Sequence, residues 1–224
     1  KALKRLGDAF AGGVSDGLRA AGLLDATSTV RAFATPRRLA VGISAVLAKA
    51  PDRPVEQKLM PVAVARGPDG AWSDALRKKL AGMGRAPLAD APVDTRVGTD
   101  SLVIKPDGKT DSVFLRSIAP GQALERVLED AVEAAIEKLP IPKVMGYQLA
   151  DGATTVRFVR PAQELVALHG DKVVGISIPG LPAGRITHGH RFQGARDITL
   201  DHADAYEALL ENPGGVVADF DKRK

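Results

Sequence analysis

No cysteine occurs among the 224 residues. That excludes a disulfide scaffold, a thiolate metal site and a cysteine nucleophile, and it fits a reducing compartment. Aromatic residues are scarce at 4%, so the core has to be built from Ala, Val, Leu and Ile. No apolar run approaches the roughly 18 residues of a membrane span. No basic segment followed by an apolar one opens the chain as a secretion signal would. Cytoplasmic localisation without membrane contact is therefore expected. The GxxxxGK(S/T), GxGxxG and GxSxG signatures are missing as well. Nothing nominates a nucleotide loop or a nucleophile, and no residue is expected to be catalytic.

What is present describes a globular chain. Hydrophobic residues make up 45% and charged residues 26%, which excludes wholesale disorder. The length suits one large domain or two small ones. Lys and Arg total 31 against 27 acids, a net charge of +4. That balance is compatible with a polyanionic partner and does not require one. The sequence begins at Lys1-Ala2-Leu3 and stops at Asp221-Lys222-Arg223-Lys224, both inside helical patterns. It is expected to be part of a longer chain.

Periodicity predicts an α+β fold of mixed and antiparallel sheets with packed helices. Leu3, Leu6, Phe10, Val14 and Leu18 form a helical stripe within 1–24, weakened by Gly12, Gly13 and Gly17 at up to about 1 kcal/mol each. Val30 to Val46 reads as strand, turn, strand. Ser73 is placed to cap a helix reaching about Leu80, although 51–100 is otherwise hard to read. Leu102–Ile104, Pro106-Asp107-Gly108 and Val113–Leu115 make a hairpin. A strong stripe from Gly121 to Leu139 predicts a helix ended by Pro140, with Glu125, Glu129, Asp130, Glu133 and Glu137 outside. Strands are expected at 155–159, 164–168, 173–178 and 216–218. A helix is expected at 203–211, and the terminal charges are read as opening another. A sub-boundary is expected near 140–152.

Charge is distributed one-sidedly along the chain. Between Asp25 and Asp52 there is no acid, while Arg31, Arg37, Arg38 and Lys49 are present. Between Asp151 and Glu164 stand Arg157 and Arg160, and from Lys172 to Arg196 stand Arg185, Arg191 and Arg196, again without an acid. Guanidinium forks fit phosphate in two-point geometry. The alternative for each is pairing with an acid from elsewhere in the chain. His188-Gly189-His190 could place two imidazoles on one strand face. A catalytic zinc site needs a third protein ligand, for which Asp201 and His202 are candidates by proximity in sequence alone. A hydrogen-bonding or phosphate-facing pair is the favoured reading, and no metal is expected.

Several segments occur in an order that resembles the β chain of bacterial heterotetrameric glycyl-tRNA synthetase. They are Ala34-Thr35-Pro36-Arg37-Arg38-Leu39-Ala40, Lys138-Leu139-Pro140-Ile141-Pro142-Lys143-Val144-Met145 and Arg157-Phe158-Val159-Arg160-Pro161. They continue with His169-Gly170-Asp171-Lys172-Val173-Val174, Thr187-His188-Gly189-His190-Arg191-Phe192 and Gly215-Val216-Val217-Ala218-Asp219-Phe220. After Lys143-Val144-Met145 the family continues with Arg-Trp, whereas Gly146-Tyr147 stands here. Gln163 occupies a position that is often aromatic or His. Gly189-His190-Arg191-Phe192 belongs to the family pattern, while His188 does not.

The resemblance implies that residues 1–224 are the N-terminal region of a longer β chain, with a fold like the B3/B4 module of the phenylalanyl-tRNA synthetase β chain. It implies an aminoacyl-tRNA synthetase, a ligase charging tRNA(Gly) with glycine, whose ATP chemistry resides in the α subunit. This part needs no cofactor of its own and is expected to be inactive alone. Its partners would be tRNA(Gly), the α subunit and a second β chain in an α2β2 assembly. The tRNA-binding candidates are Arg37, Arg38, Lys143, Arg157, Arg160, Arg185, His190 and Arg191. Two other readings stay open: an editing hydrolase acting on mischarged tRNA, and a pure protein-interaction domain. Glycine's pocket excludes larger amino acids by size, which makes editing the lesser of these.

Overall fold

The computed structural model describes residues 2–108, 110–141, 145–148, 155–158, 162–178 and 180–223, with 145–148 and 155–158 as backbone only. The chain divides into two compact units, 1–51 joined by 122–224, and 52–121. Most of 140–152 lies outside the described residues. The architecture is α+β, as expected.

The first unit opens with α1 (Ala2–Ala20), whose buried stripe is Gly7, Ala11, Val14, Ser15 and Leu18. It stops before the expected 24. The N–H of Gly22 bonds to the Arg19 carbonyl at 3.0 Å and that of Leu23 to the Leu18 carbonyl at 3.0 Å, closing the helix end. Strands β1 (Val30–Thr35) and β2 (Arg38–Ile43) pair antiparallel, with Thr35 opposite Arg38. Pro36 and Arg37 are thus the two turn residues.

The second unit holds β3 (Arg53–Pro61), α2 (Val62–Ala65), α3 (Asp74–Gly82), β4 (Arg96–Val97), β5 (Asp100–Asp107) and β6 (Thr110–Ala119). The sheet runs β3-β6-β5-β4 with antiparallel neighbours throughout. The Ser73 hydroxyl accepts the Leu76 N–H at 3.4 Å and caps α3. Leu59, Leu76, Leu80, Leu88, Leu102, Val113 and Leu115 form this unit's core. Away from it, Glu56 bridges Lys105 at 2.6 Å and Arg116 at 3.1 Å.

The first unit resumes with α4 (Leu124–Glu137), then β7 (Met145–Gln148) and β8 (Thr155–Phe158), which pair with each other. Short strands follow: β9 (Leu165–Val166), β10 (Leu168–His169), β11 (Lys172–Val173), β12 (Ser177–Ile178) and β13 (Leu181–Gly184). β14 (Ile186–His188), β15 (Asp197–Thr199) and α5 (Tyr206–Glu211) complete it. Only β9 and β13 pair in parallel among the described ladders. Helix α4 packs against α1, and here the glycines of α1 have a use. A Cβ on Gly13 would lie 2.9 Å from the Ala135 Cβ, and one on Gly17 would lie 2.7 Å from the Ala131 Cβ. Small residues on both helices let the axes approach, which offsets the propensity cost. Val14, Leu18, Leu124, Val127 and Val132 then pack with Val174, Ile176 and Ile178.

Two sequence expectations need correction. The strands expected at 164–168 and 173–178 are each broken into two-residue pieces. Residues 216–218 form no strand. The Val216 N–H goes to the Leu210 carbonyl at 2.8 Å, so the chain folds back on the end of α5 instead of joining a ladder. The charged terminus forms one 3-10 turn, Asp221–Arg223. Its start is capped by Asp219, whose Oδ1 accepts the N–H groups of Asp221 at 2.8 Å and Lys222 at 3.2 Å.

Candidate nucleic-acid interface

The hairpin of β14 and β15 carries His190, Arg191 and Phe192 on its connecting loop, residues 189–196. Its base rests on a second core of Phe33, Ile198, Leu200, Leu210 and Ala218. Backbone bonds tie the loop to the turn after α5. The His190 N–H reaches the Gly214 carbonyl at 2.6 Å, and the Ala195 N–H reaches the Pro213 carbonyl at 3.0 Å. The Gly194 N–H closes the loop onto the His190 carbonyl at 3.1 Å. The two backbones approach so closely that a Cβ on Gly189 would lie 2.9 Å from the Gly214 Cα. Glycine is required there by space.

The tip faces water. Arg191, Phe192 and Gln193 are exposed. The Arg191 guanidinium lies 5.5 Å from the Phe192 ring centroid. The His190 ring meets the same ring edge-on at 6.4 Å, and its Nδ1 accepts the Phe192 N–H at 3.4 Å. Among the described residues no acid pairs with Arg191 or with exposed Arg196. For Arg191 the alternative of pairing with an acid from elsewhere in the chain is therefore not what the described residues show. Asp197 faces His188 Nδ1 at 3.0 Å.

His188 and His190 have different partners. His188 ends β14, and its two ring nitrogens face opposite ways, Nε2 to Glu164 and Nδ1 to Asp197 and the Arg196 carbonyl at 2.9 Å. No three His, Asp or Glu side chains gather to hold a metal among the described residues.

The other candidates separate by role. Arg37 is exposed at the β1–β2 turn. Arg38 is half-buried and donates from Nη2 to the His188 carbonyl at 2.5 Å, so it braces the strand leading into the loop. Arg185 donates to the Asp171 carbonyl at 2.9 Å and the Leu200 carbonyl at 3.4 Å. Of Arg157 only the backbone is described, opposite Gly146. Lys143 and Arg160 lie outside the described residues. The structure thus carries His188, His190 and Arg191 on one hairpin, which Arg38 of β2 contacts at the His188 carbonyl.

Arg31, part of the first basic stretch, has acids supplied from afar. Its guanidinium meets Glu207 at 2.7 Å and Asp219 at 3.2 Å, and Lys222 reaches Glu207 at 2.6 Å. The Lys222 ammonium and then Arg31 hold the Glu207 carboxyl below its ordinary 4.5. Backbone donation from Lys222 does most to hold Asp219 below its ordinary 3.8. A carboxyl depressed in the folded state stabilises the fold fully above its unfolded value and loses that contribution as pH falls through the folded one. The fold is therefore expected to lose stability as pH drops below about 4.5. Glu207→Gln should make that acid limb shallower. Urea unfolding followed from neutral pH downward checks it, and an unchanged limb in the variant contradicts it.

The sequence model of the family described as "Glycyl-tRNA synthetase beta subunit" matches residues 1–224. The chain belongs to this family. A glycine–tRNA ligase beta subunit of Leptothrix cholodnii is 52% identical over 225 residues, which is 100% of this chain and 30% of that protein. That of Dechloromonas aromatica is 49% identical over 225 residues, covering 100% of this chain and 31% of the relative. That of Polaromonas naphthalenivorans is 50% identical over 230 residues, 100% of this chain and 32% of the relative. This chain therefore spans about a third of the length of these glycyl-tRNA synthetase beta subunits and corresponds to their N-terminal part.

Proposed function

We propose that this chain is a non-catalytic, tRNA-gripping part of a glycine–tRNA ligase beta subunit. Its fold is read as a B3/B4-type module. In the intact α2β2 enzyme of the cytoplasm, ATP and glycine would be handled by the α subunit, while this part meets the tRNA(Gly) backbone. The observation that carries the reading is Arg191: exposed, without an acid partner among the described residues, and set on a loop fixed by backbone bonds. Helical RNA offers proteins mainly phosphates and 2′-hydroxyls, because its major groove is too deep and narrow for side chains. A guanidinium held in place on a rigid loop suits that task. The acids on α4 make that helix unsuited to it, for Glu125, Asp130 and Glu137 are exposed there.

Arg38 donates to the His188 carbonyl at the foot of the loop, Arg185 is engaged with the Asp171 and Leu200 carbonyls, and His190 and exposed Arg37 remain, with Arg191, the candidates for contact. Arg191→Ala in the assembled enzyme is expected to weaken tRNA(Gly) binding while the Michaelis constants for glycine and ATP hold. Equal loss in all three would assign Arg191 to the general integrity of the enzyme and defeat the reading.

A further inference from the structure

Phe192 is 83% exposed, the most exposed of the large apolar side chains among the described residues. It sits on a loop whose ends are bonded to the Pro213–Gly214 turn and whose glycines leave no slack, so the ring is held out rather than fraying out. Its surroundings are polar. Between Gly189 and Gly194 there is no aliphatic residue, only His190, Arg191 and Gln193 beside it. An apolar protein-docking patch needs contiguous apolar surface, which this tip lacks. A flat ring flanked by a guanidinium at 5.5 Å and an imidazole at 6.4 Å matches a different occupant. A nucleobase offers a π-face to the ring, and its phosphates offer charge to the cation.

We propose that Phe192 is a stacking platform for one unpaired base of a tRNA strand, with Arg191 and the Nε2 of His190 taking the phosphate or ribose beside it. The proposal rests on the tRNA-binding reading above and adds to it. Bases inside a duplex are already stacked on both faces, so the nucleotide that Phe192 meets must be splayed from a loop, a bulge or an end. Every base has a π-face, so the contact strengthens binding with little choice of base.

The test uses the full-length assembled protein and a tRNA(Gly) transcript. Phe192→Ala should weaken binding by about 5- to 150-fold, the range one stacked base supports. The log–log salt slope should stay unchanged, because no phosphate contact is lost. Phe192→Leu keeps an apolar side chain without a π-face and should bind as weakly as the Ala variant. Phe192→Trp should bind within a few-fold of the parent, with indole fluorescence quenched on binding. Parent-like affinity of the Leu variant would replace base stacking with apolar docking, and parent-like affinity of the Ala variant would remove the contact altogether. Arg191→Ala, measured alongside, separates the two readings. If Arg191→Ala also leaves affinity and slope unchanged, the tRNA reading of the loop fails. If only the Phe192 variants behave as the parent, the stacking proposal alone fails.

Discussion

Gly214→Ala is expected to destabilise the protein by about 1–3 kcal/mol and to weaken tRNA binding at the same time. A Cβ on Gly214 would lie 2.7 Å from Ile198 Cδ1 and 2.9 Å from the Leu210 carbonyl carbon. The carbonyl belongs to helix backbone, which cannot swing away as a flexible side chain would. The turn must move instead. It carries the acceptors for the His190 and Ala195 N–H groups, so the loop bearing Arg191 and Phe192 moves with it. Gly12→Ala is the control. Nothing lies within 4 Å of a Cβ there, and Ala in a helix interior gains about 0.5–1 kcal/mol over Gly. Thermal melts of both variants check the pair of signs. A Gly214→Ala protein as stable as its parent would show that the turn is looser than its contacts indicate.

Leu76→Ala should cost about 2–5 kcal/mol, the range for a truncated core leucine whose cavity closes only partly. Leu76 is 0% exposed and packs among Leu80, Leu88, Leu102, Val113 and Leu115. For a unit of about 60–100 residues, each kcal/mol lowers the melting temperature by about 4–8 °C. A drop of about 8 °C or more is therefore expected for the transition of residues 52–121. Cooperative units open separately in native-state hydrogen exchange. The lost protection should fall within 52–121, the compact unit that contains Leu76. Equal loss of protection in residues 1–51 and 122–224 would contradict that division.

Much of the fold could be read from local patterns. The stripe of α1, the hairpin of β5 and β6, the Ser73 cap and α4 all follow from spacing within about twenty residues. Strand β3 was hidden because Arg53 through Lys58 are all exposed. An edge strand with polar residues on both faces has no alternation to detect. The division into units depends on pairings of distant segments, such as Arg53 with Ala119, which no local window contains. The short pieces between 165 and 178 read in sequence as two longer strands, because continuous apolar runs do not mark where ladder partners end.

The candidate site was legible as charge, and less so as role. Acid-free stretches around Arg37, Arg185 and Arg191 marked basic segments without ranking them. Arg38 and Arg185 donate to the carbonyls of His188, Asp171 and Leu200, partners that sequence spacing does not reveal. Arg31 looked equally free until Glu207 and Asp219 were placed beside it. Phe192 carries no mark of exposure in its composition or neighbours. Only the glycine-packed loop shows that its ring is held in water.

The central claim, that the Arg191 loop meets tRNA phosphates, is tested most directly by one titration. The affinity of the assembled enzyme for a tRNA(Gly) transcript is measured across a range of salt concentrations for the parent and for Arg191→Ala. Each phosphate contact contributes about 0.7–0.9 to the slope of log affinity against log salt. The variant is expected to bind more weakly with a slope shallower by about that amount and an unchanged melting temperature. A variant with the parent's affinity and slope would contradict the claim.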